Sequence, residues 1–406
     1  MNILFFSTVY FPVVGGAQVT LHELATRLST DNRVYLILPL GAYLKSLKIH
    51  RNLQYTVLPF LPYRFIKYAA NENFFSKKMF NLYFNFIFNI FKIDLVQSFY
   101  IYPNGYLMDN VCKDNFIPHF TRTVGDDIQM SDRLDYGLMR NENLLRISGY
   151  FTGKSTKFLS LSGSVDSDLL NLGVKLDNIV RFPCGVDLDF FQSVNVSTEE
   201  RMQLRSRLGV SDGEFLFISV GRAHPKKGFD VVLHSAKLLL DEGFLFKIIF
   251  VGPGFESLQQ LAKQLNIETK VIFYGAVNHV STDGYKMPNR ELIKLYKISE
   301  ACLFPSLLET FALIYIEAMA AKIPVIASNA EGCGEIVDDG ENALVANAGD
   351  AFSVAEKMKL LMSSTNLQSR LKEKGYQLVK EKYDWKILAT SIRKQYEESL
   401  IKKGQL

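Results

Sequence analysis

The segment "PSLLETFALIYIEAMAAKIPVIAS", which runs from Pro305 to Ser328, decides the fold class. It predicts a loop, a short helix and then a buried strand, which is the alternation found in parallel α/β sheets. Two carboxylates, Glu309 and Glu317, lie in this otherwise almost wholly apolar stretch. Because lone carboxylates are seldom buried without a partner, both glutamates indicate a binding site.

The same alternation extends to both sides of this segment. In the first half, the apolar runs "NILFFS" and "RVYLILP" flank the helical pattern "VTLHELATRLS", and in the second half "FLFISVG" and "FKIIFVG" flank "DVVLHSAKLLLDEG". These patterns predict parallel sheets covered by helices on both faces. A chain of 406 residues is too long for one ordinary core. We therefore expect an N-terminal domain over 1–188, a C-terminal domain over 189–385, and a final helix at about 386–406 that crosses back onto the first domain.

Composition narrows the class of protein. The net charge of +4 is too mild to predict a nucleic-acid partner, and the four scattered cysteines have neither metal-ligand nor redox spacing. They predict reduced thiols in a cytoplasmic protein. The N-terminal run "MNILFFSTVYFPVVGG" contains no basic leader, so we interpret it as a first buried strand rather than a signal peptide.

The segment 41–92 departs from the rest of the chain. It holds eight basic residues and a single acid, Glu72, and its stretch "NENFFSKKMFNLYFNFIFNIFK" repeats a polar residue at every fourth position between apolar and aromatic ones. This pattern predicts a helix with a very wide apolar face, too short and too interrupted by asparagine to span a bilayer. Two interpretations remain open: a helix packed in the core, or a peripheral surface for an anionic membrane at its inner, cytoplasmic face.

Glycine turns mark two candidate ligand sites. Gly15 and Gly16 join the first strand to the first helix, where a backbone without side chains admits an anion. The spacing is not that of a nicotinamide-cofactor fingerprint, and the second strand ends in Pro39 instead of an acid. In the second half, Arg222 and Lys227 lie in the strand-to-helix turn "SVGRAHPKKGFD", a pattern that suits a diphosphate. The alternative is a solvated basic turn.

The two glutamates fit the same ligand. Glu309 lies in the loop after the strand "ACLF", beside the expected helix start at Thr310 to Ala312, and Glu317 lies about two turns into the helix. Carboxylates accept hydrogen bonds from sugar and ribose hydroxyls, so the pair suits the two ends of a nucleotide-sugar. The alternative is a capping glutamate and a surface glutamate.

Arg222 with Lys227-Gly228, then Gly252, and Glu309 followed at the eighth position by Glu317 resemble the family 4 retaining glycosyltransferases of GT-B fold. The resemblance implies two Rossmann-like domains that face a central cleft, the first for the acceptor and the second for the nucleotide-sugar donor. It implies a donor site whose members lie in glycine loops or at a helix start: Gly15, Gly16, Arg222, Lys227, Gly252, Glu309, Thr310, Phe311, Ala312 and Glu317. No metal and no cofactor are expected.

The resemblance implies that Arg222 and Lys227 neutralise the diphosphate, that Glu309 contacts the donor sugar and that Glu317 holds the ribose. It makes Glu309, Arg222 and Lys227 catalytic candidates. The chain departs from the family at Val124, where a histidine is usual. Candidate substitutes and acceptor contacts nearby are Arg122, Asp126 and Asp127, with Asp126 as a catalytic candidate.

The predicted activity is transfer of a sugar from UDP- or GDP-sugar to a glycan or lipid-linked acceptor in the synthesis of cell-surface polysaccharide or glycoconjugate. Two alternatives stay open: a sugar-nucleotide epimerase or hydrolase of the same fold, and a non-catalytic nucleotide-binding module associated with a membrane.

Overall fold

The computed structural model describes residues 1–13, 15–50, 52–142, 144–146, 149, 156–277, 286–401 and 404. Arg51 of the basic segment lies outside the described residues. The chain forms two compact units, one of residues 1–184 together with 385–406 and the other of residues 185–384. The boundary after Cys184 falls a few residues before the one expected at 188.

The first unit contains a parallel sheet of seven strands among the described residues, in the order β3-β2-β1-β4-β5-β6-β7. Strands β1 and β2 are nearly continuous apolar runs, and the inner strands are buried along almost their whole length, as the sequence predicts for a covered parallel sheet. The strands are β1 (Asn2–Phe6), β2 (Arg33–Pro39), β3 (Thr56–Phe60), β4 (Leu95–Phe99), β5 (His119–Arg122), β6 (Lys157–Ser160) and β7 (Ile179–Arg181).

The second unit contains a parallel sheet of six strands in the described part of the chain, in the order β10-β9-β8-β11-β12-β13. The strands are β8 (Phe215–Val220), β9 (Phe246–Val251), β10 (Val271–Gly275), β11 (Ala301–Leu303), β12 (Val325–Ser328) and β13 (Leu344–Ala346). Two parallel sheets with helical connections confirm the predicted α/β class.

The connections between strands are mainly helical. Helices of the first unit are α1 (Gly16–Leu28), α2 (Leu40–His50), α3 (Tyr63–Ala70), α4 (Phe74–Phe91), α5 (Tyr106–Asp114) and α6 (Gly163–Asn171). Those of the second unit are α7 (Leu188–Ser193), α8 (Thr198–Arg207), α9 (Phe229–Asp241), α10 (Glu256–Gln264), α11 (Arg290–Ile298), α12 (Leu313–Ala320), α13 (Ala351–Ser363) and α14 (Thr365–Lys382). The last helix, α15 (Trp385–Ile401), belongs to the first unit, as predicted.

Helix α4 supplies much of the core on one face of the first sheet. Phe80 and Phe84 are buried against Phe6 of β1, with ring centroids 5.8 and 5.1 Å from it. The Asn73 side chain caps the helix by accepting a hydrogen bond from the Ser76 N–H at 3.0 Å. The interpretation of α4 as a core helix is therefore correct for this face. No helix among the described residues is long and apolar enough to cross a membrane.

Helix α15 is fixed to the first unit by a stripe of buried side chains at helical spacing, among them Trp385, Ile392 and Tyr396. The Tyr396 hydroxyl donates a hydrogen bond to the buried Gln97 side chain of β4, and its ring meets Phe120 of β5 edge-on at 5.0 Å. The C-terminal helix is thus an integral part of the first unit's core.

We expect Ile392→Ala to lower the free energy of unfolding of the first unit by about 2–5 kcal/mol, because it opens a cavity under α15. The fluorescence of Trp385, the chain's only tryptophan, reports the unfolding of this helix in urea. The exposed Ile387→Ala on the same helix is the matched control and should cost less than about 1 kcal/mol. Equal losses in the two variants would contradict the packing described here.

Candidate functional site

The candidate site in the second unit lies at the carboxyl ends of β8 and β11. These strands are neighbours although β9 and β10 lie between them in sequence, so the strand order reverses at this point. Open parallel sheets bind ligands outside the carboxyl ends of their strands at such a reversal. The loop after β8 carries Arg222 and Lys227, and the loop after β11 carries Glu309.

The two loops touch through their backbones. Gly228 has a φ of +65°, and a Cβ there would lie 2.2 Å from the carbonyl oxygen of Pro305, so the contact requires glycine. The Leu307 N–H and the Ser306 hydroxyl each donate a hydrogen bond to the carbonyl oxygen of Lys226, both at 2.7 Å. Two loops about eighty residues apart in sequence are thereby held at one relative position.

Lys227 and Glu309 form an ion pair inside this contact. The Lys227 ammonium donates to Glu309 Oε1, and the hydroxyl of buried Ser306 lies 3.0 Å from the same oxygen. The ammonium also lies 5.1 Å from the ring centroid of Phe304. Burial of the Glu309 carboxylate is compensated by this cation, which answers why an acid occurs in so apolar a segment.

Free backbone donors lie next to Glu309. The N–H groups of Thr310, Phe311 and Ala312 donate to no acceptor that the described residues provide. Helix α12 begins directly afterwards at Leu313, slightly later than the sequence indicated. Unsatisfied N–H groups at a helix start attract anions, so this backbone suits a phosphate.

Arg222 contributes a second cation to the site. Its side chain is exposed, and within the described part of the chain it has no ion-pair partner. Burial, followed by the nearby charges of Lys226, Lys227 and Arg222, lowers the pKa of His224 in the same loop. The loop after β8 therefore carries the concentrated positive charge that a diphosphate would neutralise.

Glu317 has a different environment from Glu309. It is buried in α12, and its Oε2 accepts a hydrogen bond from the Tyr296 hydroxyl of α11 at 2.9 Å. Burial raises the pKa of Glu317 to about 7, and the hydrogen bond from Tyr296 offsets only part of that effect. No cation pairs with it in the described residues, so a ligand that donates hydrogen bonds would favour its charged form.

Sequence reasoning missed two residues that shape the site. Gly332, in the loop after β12, has a φ of +77°, and a Cβ there would lie 1.6 Å from the carbonyl oxygen of Glu309. The Glu309 N–H donates to the Glu331 carbonyl at 3.0 Å, so this loop holds the backbone of Glu309 in place. Ser306 lies in the segment that opens the sequence analysis, but only its contact with Glu309 shows that it belongs to the site. The signal for Gly332 is a glycine soon after a predicted strand.

Gly252 takes part through its backbone. Its φ is +148°, and a Cβ there would lie 2.0 Å from the carbonyl oxygen of Gly221. The loops after β8 and β9 therefore approach each other as closely as the loops after β8 and β11. The predicted donor contact of Gly252 stays a prediction.

In the first unit, Gly15 and Gly16 begin α1 as predicted. Gly15 is the N-cap in extended conformation without a side-chain cap, and a Cβ on Gly16 would meet nothing within 4 Å. The space beside Gly16 is therefore open. The nearest obstacle to a side chain at Gly15 is Gln18 Oε1 at 3.0 Å.

The three acceptor candidates separate by burial. Arg122 is buried, and its guanidinium donates to the Phe182 carbonyl at 2.8 Å and the Pro183 carbonyl at 3.3 Å. Asp127 is buried as well, and desolvation raises its pKa to about 6. Only the Asp126 side chain is exposed.

These contacts show how two of the candidates are held, and the predicted acceptor roles of all three stay predictions. The Asp127 carboxylate accepts hydrogen bonds from the N–H groups of Ile101, Val124 and Gly125 at 2.8 to 3.0 Å, and it fixes the loops after β4 and β5. The polar atoms of Arg122 and Asp127 are engaged inside the first unit. Asp126 is the one of the three whose side chain is exposed.

Comparison with known proteins identifies the class. Residues 200–378 match the family Glycosyl transferases group 1, which spans most of the second unit. The chain carries a group 1 glycosyltransferase domain in a GT-B fold, and the resemblance seen in the motifs is confirmed at that level.

Relatives and solved structures match along most or nearly all of the chain. An uncharacterised glycosyltransferase of Methanocaldococcus jannaschii is 24% identical over 96% of this chain and 97% of its own. The alpha-monoglucosyldiacylglycerol synthase of Streptococcus pneumoniae is 24% identical over 84% of this chain and 74% of its own. The Anabaena protein HepE, solved with UDP and glucose, superposes with a TM-score of 0.77 at 17% identity and covers 98% of this chain and all of its own. At that identity the likeness shows the fold.

We expect Glu317→Gln to change how stability depends on pH. The pKa of Glu317 is about 7 in the folded chain and the ordinary glutamate value is 4.5. The folded chain therefore holds this proton more tightly, and the contribution to the free energy of unfolding is full below pH 4.5 and lost as the pH rises through about 7. Glutamine cannot ionise, so relative to wild type the variant should gain on the order of 2–3 kcal/mol between about pH 5 and about pH 8.

Urea unfolding across this pH range measures the effect. The exposed Glu268→Gln in the same unit is the control and should follow the wild-type curve. A constant difference between Glu317→Gln and wild type at every pH would refute the raised pKa.

Proposed function

We propose that this protein is a retaining, metal-independent glycosyltransferase of family 4 that moves a sugar from UDP- or GDP-sugar to a glycan or lipid-linked acceptor, for cell-surface polysaccharide or glycoconjugate synthesis. The observation that carries the proposal is the pairing of Lys227 with Glu309 beside the free N–H groups of Thr310 to Ala312. HepE, which shares the fold, was solved in complex with UDP and glucose.

The chemistry asks for stabilisation of the leaving group. When the glycosyl–phosphate bond breaks, positive charge develops on the sugar and negative charge on the departing nucleoside diphosphate. Arg222, Lys227 and the N–H groups at the start of α12 neutralise that negative charge without reorganisation. Glu309, held by Lys227, accepts hydrogen bonds from sugar hydroxyls. The acceptor hydroxyl attacks from the face that the diphosphate leaves, and a phosphate oxygen takes its proton.

The acceptor side of the proposal rests on the first unit. Asp126 is the exposed carboxylate of the loop after β5 and contacts the acceptor there. The Streptococcus pneumoniae relative is named for a diacylglycerol product, which supports a lipid-linked acceptor. Segment 41–92, with its excess of basic residues, meets an anionic membrane surface, and the protein works at the cytoplasmic face of that membrane.

Arg222→Ala should lower kcat about 100-fold or more at saturating donor, because the side chain acts on charge that develops in the transition state. Its stability should match wild type, since the side chain is exposed. The exposed Arg207→Ala in the same unit is the control. Lys227→Ala is a poorer test because it leaves the buried Glu309 without its cation. Product analysis with and without acceptor measures transfer, and a chelator should leave the rate unchanged.

Near wild-type kcat in Arg222→Ala would contradict the leaving-group role. Release of free sugar or of an epimerised nucleotide-sugar at equal rates without acceptor would favour a hydrolase or an epimerase. Tight nucleotide binding without turnover on any acceptor would favour a binding module.

Glu317→Gln should weaken UDP-sugar or GDP-sugar affinity about tenfold at pH 8, because ribose hydroxyls bind a charged acceptor more strongly than an amide. Glutamine still offers an oxygen to Tyr296, so the fold is kept. Isothermal titration calorimetry measures the affinity, and unchanged binding would remove Glu317 from the donor site.

A further inference from the structure

Helix α4 has a second apolar face that points away from the core. Phe75, Leu82, Phe86 and Ile90 are spaced at helical intervals of three or four residues or their sums, so they share one side of the helix. Phe75 is 63% exposed and Phe86 is 61% exposed. Single exposed apolar residues are ordinary on protein surfaces, but a row of four along one helix marks an interaction surface. We call these four residues the outward face of α4.

Aromatic and basic residues are also exposed on α4 and on the helix that packs against it. Helix α3 packs beside α4 and exposes Tyr63 and Tyr68 together with Arg64 and Lys67. On α4 itself, Lys78 is exposed. Tyrosines with an apolar ring and a polar tip are suited to the boundary between hydrocarbon and water.

Glu72, the single acid of segment 41–92, is already paired and does not neutralise the exposed cations. Glu72 accepts a hydrogen bond from Lys77 at 2.6 Å and another from the Tyr106 hydroxyl. Burial acts to raise the pKa of Glu72, but the hydrogen bonds from Lys77 and Tyr106 and the charge of Lys77 together lower it, so Glu72 stays ionised and is neutralised by Lys77. The surplus of exposed cations around α4 is therefore uncompensated by any acid between 41 and 92.

This charge distinguishes among possible occupants of the outward face. A second copy of the chain, placed with its own α4 on this one, would bring the basic side chains of both copies together, and like charges repel. A lipid surface with anionic headgroups offers the opposite charge and a hydrocarbon layer for the aromatic row. We propose that the outward face of α4 inserts into an anionic lipid bilayer, with the exposed cations of α3 and α4 on the headgroups.

This inference rests on the proposed function and names the element that enters the membrane. Attraction by charge alone would be a property of the whole segment 41–92. Insertion places the binding on one helix face. It also adds a hydrophobic contribution to the binding free energy, which salt does not screen. The basic residues of α2, Lys45 and Lys48, lie on a separate helix that packs on β2 and β3, and they serve as a comparison.

The experiment is co-sedimentation of the full chain with vesicles of phosphatidylcholine alone or mixed with phosphatidylglycerol, at low and high salt. We expect binding to the mixed vesicles that salt reduces without abolishing. Phe75→Ser combined with Phe86→Ser should weaken this binding about tenfold or more. Phe352→Ser in the second unit removes a phenylalanine that is 63% exposed and should have no effect.

A charge comparison localises the surface. Lys67→Gln with Lys78→Gln should weaken binding at low salt more than Lys45→Gln with Lys48→Gln. Wild-type protein that ignores the mixed vesicles would overturn the proposal, as would full binding by the double serine variant. A wild-type dimer that the serine changes dissociate in the absence of lipid would assign the face to a second copy and overturn it too.

Titration of the same variants with UDP and GDP separates this proposal from the proposed function. Loss of vesicle binding with unchanged nucleotide affinity is the expected pattern. If no nucleotide binds while vesicle binding follows the prediction, the proposed function is wrong and the insertion of α4 stands.

Discussion

The close approach of Gly228 to Pro305 is the constraint on which the candidate site depends. A side chain at 228 would collide with the Pro305 carbonyl, and the loops after β8 and β11 would separate. Their separation would break the hydrogen bonds to the Lys226 carbonyl and draw Lys227 away from Glu309. Glycine at this position therefore fixes more than the local turn, because the ion pair and the orientation of the cation both follow from it.

The two glutamates of the opening segment show two ways of keeping a carboxylate in an apolar environment. Glu309 is compensated within the protein by a lysine, so its charge is stabilised before any ligand binds. Glu317 has a neutral tyrosine as its partner, and its raised pKa records the uncompensated cost of burial. A ligand with donor groups would lower that cost at Glu317. The difference supports the proposed roles, in which Glu309 positions Lys227 and contacts the sugar, and Glu317 binds a ligand that favours its charged form.

Much of the fold could be predicted from the sequence because continuous apolar runs and helical periodicity are local signals. The strands, the glycine turns after them and the placement of Arg222, Lys227 and Glu309 at strand ends all followed from such signals. The partners could not be predicted in the same way. Arg122 is paired with carbonyls sixty residues away, and no local pattern distinguishes a buried structural arginine from an exposed one that meets a substrate.

Gly332 is a second residue whose role could not be predicted from its local sequence. Its local sequence indicates only a turn, whereas its role comes from the Glu309 backbone that lies against it. A site of this kind is built from loops that are distant in sequence and adjacent at one edge of the sheet. Topology brings them together, and a single sequence carries topology only indirectly, through the order of its strands.

Helix α4 explains why the sequence left two interpretations open. A core helix and a membrane-surface helix both present apolar residues, and the pattern here is apolar on nearly every side. The structure places Phe80 and Phe84 in the core and Phe75 and Phe86 on the surface, so the core interpretation holds for one face and the membrane interpretation stays a proposal for the other. The buried face already supplies the packing that holds α4 on the sheet. Folding therefore does not require apolar residues on the exposed face. Their exposure to water is unfavourable unless a partner covers them.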